Sequence, residues 1–118
     1  MGDSFMDLVV WQRAVDLSTE IYRLTATFPK SEQFGLVNQM RRASVSIASN
    51  IAEGYGRSTR GEYRQFLGYA RGSKCELQTQ IFIAKSLGFG AGKSYERTEQ
   101  LCADVSRLLI ALMNKLKD

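Results

Sequence analysis

Apolar residues recur at steps of three and four over four separate stretches of this chain, each with a polar side opposite. Ala14, Leu17, Ile21, Leu24 and Phe28, widened by Trp11 and Val15, predict a first helix from about Val9 to Phe28, stopped by Pro29. The following PKSEQFG reads as a turn, with Ser31 as the N-cap of what comes next. Leu36, Met40, Ala43, Ile47 and Ile51 predict a second helix starting near Phe34 or Leu36, with Gly54 as its C′ residue after Glu53. Thr59 and Glu62 match a capping box and open a third helix running to about Leu87. Its expected core stripe is Phe66, Ala70, Ser73, Leu77, Ile81 and Ala84. Ser94 caps a fourth helix, with Leu101, Val105, Leu108, Leu112 and Leu116 inward and Leu109 and Met113 widening the stripe. Short connections between four amphipathic helices predict an all-α fold, an antiparallel up-down-up-down four-helix bundle with residues 1–118 as one domain.

Composition narrows the chemistry. The chain has 118 residues, one proline and no stretch approaching the ~18 apolar residues of a membrane span. MGDSFM lacks the features of a signal peptide and misses the myristoylation pattern at Met6, so a cytoplasmic protein is expected. There is no histidine, which removes the commonest general base and metal ligand and the Glu-x-x-His pairs of a di-iron bundle. Cys75 and Cys102 form no CxxC, and their expected offset of about 7–8 Å along neighbouring helices suits free thiols better than a disulfide. GFGAGKS fails as a phosphate-binding loop because Gly88 precedes Gly92 by four positions instead of five, and a helix precedes it. No catalytic residue, metal ligand, cofactor or small-molecule substrate is indicated, and the chain is expected not to be an enzyme.

Charge and small residues add two further stripes. Between Arg41 and Lys74, seven basic residues (Arg41, Arg42, Arg57, Arg60, Arg64, Arg71 and Lys74) stand against Glu53 and Glu62, a net of +5 in a chain of net +4. Localised positive charge suits an anionic partner, nucleic acid above all and RNA in particular, with Tyr55, Tyr63 and Tyr69 as stacking surfaces. Counting outward from the turn places Arg42 level with Arg71. The alternative is that these cations pair with Glu53, Glu62 and Glu76 or serve solubility.

On the third helix, Gly61, Gly68, Gly72, Cys75, Thr79 and Ser86 fall within about 60° on the side away from the core, flanked by Phe82 and Ile83. Each mid-helix glycine costs on the order of 1 kcal/mol, so this side reads as a seam for self-association, or else as a tolerated small-residue surface. On the second helix, Gln39, Arg42, Ser46, Asn50 and Glu53 flank the core. They read as hydrogen-bonding groups toward a neighbouring helix or subunit, or as a solvated edge.

LVVWQRAVDL, GLVNQMRRASVSIASNIAEGYGR and EYRQFLGYARGSKCELQTQ resemble the four-helix-bundle family of 23S rRNA intervening-sequence proteins, most specifically through RRAS-x-SI-x-x-NIAEG at Arg41 to Gly54. The resemblance implies a bacterial bundle assembling into a ring, a homopentamer. It extends to accessory proteins of diversity-generating retroelements, which are pentamers with basic surfaces that engage RNA and a reverse transcriptase. No catalytic residues come with it. The expectation is a non-enzymatic, homo-oligomeric nucleic-acid-binding protein, and the alternative is an oligomeric scaffold for protein partners.

Overall fold

A computed structural model describes residues 4–117. Four helices carry the fold: α1 (Val9–Thr25), α2 (Leu36–Tyr55), α3 (Arg60–Ser86) and α4 (Gly92–Lys115), with short 3-10 turns at Phe5–Asp7 and Lys30–Glu32. No helix among the described residues is long and apolar enough to cross a membrane.

Side-chain contacts give the topology. Ser44 meets Ser18 (3.0 Å) and Arg41 meets Thr25 (2.9 Å), so positions rise along α2 as they fall along α1. Ser46 meets Ser73 (2.9 Å), while a Cβ on Gly54 would meet Phe66, which makes α2 and α3 antiparallel as well. Arg60 meets Lys115 and Lys85 meets Glu99, which does the same for α3 and α4. α1 packs on α2 and α4, and α3 on α2 and α4, closing a square whose α3–α4 edge has the thinnest packing. The four-helix bundle expected from the periodicity is the fold observed.

The core follows the expected stripes with local shifts on α2, where Val37 is buried in place of Leu36, and on α3 and α4. Ala14, Leu17, Ile21, Met40, Ile47, Ile51, Ala70, Leu77, Ala84, Leu101 and Val105 are buried. On α3, however, Leu67 and Lys74 take the buried positions expected for Phe66 and Ser73, which are only partly covered. On α4, Leu109 lies deeper than Leu108.

Helix ends differ most from expectation. α1 stops at Thr25, three residues before Phe28. Thr25 and Thr27 hydroxyls donate to the carbonyls of Ile21 and Leu24, while Phe28 stays buried against the Phe89 ring (5.5 Å). Ser31 lies inside the 3-10 turn and caps nothing. The Glu32 carboxylate instead accepts from the Leu36 amide, the first residue of α2 (3.3 Å). Ser94 is likewise no cap, because α4 begins at Gly92 behind Ala91. The capping box is present: Thr59 accepts from the Glu62 amide at 3.1 Å.

Gly54 is no C′ residue, since α2 continues to Tyr55 and ends on Gly56. A Cβ on Gly54 would lie 2.9 Å from Phe66 Cβ and 3.1 Å from the Tyr63 ring. Glycine is required there because α2 and α3 cross closely, not because the backbone turns.

Candidate nucleic-acid interface

The seven basic residues of the hairpin scatter over distinct environments. Arg41 ties α2 to α1: its guanidinium lies 4.5 Å from the centre of the Tyr22 ring and donates to the Thr25 hydroxyl and, at 3.3 Å, to the Tyr22 carbonyl. Lys74 is only 9% exposed, so it leaves the expected surface set. Its position on α3 points it at the thin edge with α4, where it lowers the pKa of Cys102 against the larger opposite effect of burial. Arg42 is exposed beside Asn38, Gln39, Ser46 and Glu76 in a groove between α2 and α3. The Ser46–Ser73 contact sets it level with Leu77, not with Arg71 as counting from the turn suggested. Counting from the turn assumes symmetry, whereas α2 ends just past the crossing at Gly54 and α3 starts further from its own crossing residue, Phe66.

The other four gather toward the turn end. The Arg57 guanidinium lies over the Phe66 ring at 4.4 Å. Arg60 donates to the Lys115 carbonyl (2.7 Å) and Arg64 to the Met113 carbonyl (3.1 Å), so both bond carbonyls of the last turn of α4 and place positive charge at its negative end. Arg71 lies further along the same side of α3, exposed. A groove of about 620 Å³ runs here, lined by Gly61, Arg64, Gln65, Gly68, Met113, Leu116 and Lys117. Among the described residues its lining has two cations and no carboxylate. Lys117 and Lys115 also belong to this end, brought there because the turn and the end of α4 meet, which no pattern within the hairpin signals.

The carboxylate-pairing alternative does not hold. Among the described residues the ion pairs are Arg13–Asp16, Arg23–Glu20, Lys85–Glu99 and Arg107–Asp104, and none includes a hairpin cation. Arg41, Arg57, Arg60 and Arg64 meet carbonyls, a hydroxyl and rings, which leave their charge uncancelled.

The tyrosines are poorer stacking groups than expected. Tyr55 and Tyr63 pack edge to face at 6.0 Å, and Tyr63 is half-buried against the α2–α3 crossing. Burial first, and Tyr55 second, raises the Tyr63 hydroxyl above its ordinary pKa. Tyr69 is exposed, with its ring edge to face with Phe66 (5.2 Å) and its hydroxyl accepting from Gln65 (2.8 Å).

The small-residue side of α3 faces outward. A Cβ on Gly68 or Gly72 would meet nothing within 4 Å, and a Cβ on Gly61 would only just reach the Thr59 hydroxyl at 4.0 Å. Cys75 and Thr79 are exposed alongside, and Phe82 (72% exposed), Ile83 and Leu87 form an apolar patch beyond them. Of the polar flank on α2, Ser46 reaches Ser73 across the helix pair and Asn50 donates back to Ser46, while Gln39 and Glu53 are exposed.

A family model described as 23S rRNA-intervening sequence protein matches residues 6–111. A solved structure from Bacteroides thetaiotaomicron VPI-5482, a protein with unknown function from the S23 ribosomal protein family, has the same fold, with a TM-score of 0.79 at 19% identity over 89% of this chain and 98% of that one. No curated protein matches.

Proposed function

This chain belongs to the 23S rRNA-intervening sequence protein family, and from that premise and the basic groove we propose that it is a cytoplasmic, non-enzymatic accessory protein that self-associates and binds structured RNA through phosphate contacts. The observation that carries the reading is the groove at the turn end, lined by Arg64 and Lys117 with Arg60 and Arg71 on the same side of α3, where the described residues supply neither a lining carboxylate nor an ion pair to any of the four. Phosphate contacts need uncancelled cations and no base-specific geometry. The engaged faces of Tyr55 and Tyr63 favour backbone recognition over stacking of unpaired bases. Self-association has its own support in the glycines that pack against nothing and in the exposed Phe82, Ile83 and Leu87. Repeating one basic groove around an assembly, a pentamer if the resemblance extends so far, multiplies weak contacts.

Arg60 and Arg64 are unsuited to a charge-reversal test because they also cap α4. Arg71→Glu with Lys117→Glu reverses charge in and beside the groove without removing a side-chain hydrogen bond. In an anisotropy titration with a structured RNA, this double variant is expected to weaken binding and to lower the salt slope by about 2. The same charge change at Arg23 and Arg97, at the opposite end of the bundle, is expected to do markedly less. Equal effects from both pairs, or none from either, would remove the groove as the binding site. The scaffold reading rests on the same apolar patch, and a protein partner retained without any RNA binding would favour it.

A further inference from the structure

Phe34 is the most exposed large hydrophobic residue among those described, at 90%. It is held out in a fixed place: the Gln33 amide bonds the Lys30 carbonyl, the Gly35 amide bonds the Glu32 carbonyl, and the Glu32 carboxylate ties down the start of α2. A ring presented on an ordered turn loses little freedom on docking.

The thin α3–α4 edge holds a cavity of about 280 Å³ lined by Ile81, Phe82, Lys85, Ser86, Glu99 and Cys102, with Gln78 at its lower margin. An apolar cavity of roughly 150 Å³ accepts a benzene ring, so this one is large enough for a phenyl group. Lys85 and Glu99 pair at 3.0 Å at its margin.

We infer that Phe34 of one copy seats in the α3–α4 cavity of the next, giving a head-to-tail contact that closes into a ring. This rests on the self-association proposed above and names the residues that would build it. Height is the first support. The Ser46–Ser73 register puts Phe34 level with the last turn of α3, where Lys85 and Ser86 line the cavity. Rotation about an axis parallel to the bundle preserves height, so a cyclic assembly of upright bundles needs knob and hole at one level. Placement is the second: Phe34 lies on the α1–α2 edge and the cavity on the α3–α4 edge, opposite sides of the square, as a heterologous contact requires. Charge is the third and permits a sister copy as the occupant. Lys30 and Glu32 balance beside the knob and Lys85 and Glu99 balance at the hole, whereas residues 41–74 carry +5 and would repel their own likeness. Phe82, Ile83 and Leu87 around the hole continue the proposed seam.

The test is the mass in solution by light scattering, with circular dichroism to confirm helix content. Wild type is expected at a multiple of 13.3 kDa and Phe34→Asp at 13.3 kDa with its helices retained. A wild type at single-chain mass would overturn self-association and this contact together. An assembled wild type with an equally assembled Phe34→Asp variant would overturn the contact alone. As a second readout, a Cys75→Ser chain carrying Gln33→Cys and Ser86→Cys, with Phe34 intact, is treated with a short bis-maleimide. A ladder of linked chains is expected, abolished by Phe34→Asp, and absence of the ladder from an assembled protein contradicts the contact.

Discussion

Cys75 and Cys102 are both free but live in different surroundings, one exposed on the outer side of α3 and one buried between α3 and α4. Burial pushes the Cys102 thiol up to about 11, with Lys74 pulling it partway back and Glu99 pushing it further up. One thiol per native chain, Cys75, is therefore expected to react with a disulfide reagent at pH 8, and two after denaturation. The raised value also has a sign for stability. The unfolded thiol releases its proton near pH 9 while the folded one holds it to about 11, so the folded state binds more protons in between. Stability is expected to fall as pH rises through that window, and a Cys102→Ala variant to fall less, as read by urea unfolding at pH 8 and pH 10.5. Helical spacing alone placed Cys75 on the outer side. It could not place Lys74, three residues from Arg71, because a shift of a few tens of degrees moves a side chain from solvent into a helix–helix edge.

Helices were legible because their stripes are long and proline occurs once; their ends were not. Thr59–Glu62 was readable as a cap because both partners are local. Ser31 and Ser94 had the right residue type, yet the backbone amides there are served by Glu32 and by the Ala91 carbonyl, choices set by three-dimensional placement. Gly54 shows the same limit from another side: a glycine near a helix end suggests a cap, but what requires it is Phe66 on another helix. Gly54→Ala is expected to force the α2–α3 crossing apart and destabilise the fold by about 1–3 kcal/mol, seen as a lower urea midpoint at unchanged slope. Gly68→Ala, with open space around its Cβ, is expected to leave a single chain no less stable and to gain helix propensity. Loss of assembly in that second variant would tie its glycine to the seam.

At the scale of the molecule, the concentration of positive charge in residues 41–74 was plain from the sequence, but its shape was not. The fold splits seven cations among an α1 tie, a buried edge, an α2–α3 groove and the turn end, then adds Lys115 and Lys117 from the end of α4. Only antiparallel closure of the bundle brings those last two to the turn, and nothing within the hairpin signals it. What results is one end with unpaired cations and an opposite end with Phe34 and the α3–α4 cavity. Polyanion binding and the Phe34 contact would then occupy different ends, while Gly61 and Gly68, which line the groove, are where the proposed seam and a polyanion would meet. The most direct test of the central claim is the affinity of the wild-type protein for a structured RNA between 50 and 300 mM salt. With Arg60, Arg64, Arg71 and Lys117 contacting phosphates, log K against log salt is expected to fall with a slope of about −3.6 for each engaged subunit. A flat dependence, or no binding at 50 mM salt, would contradict it.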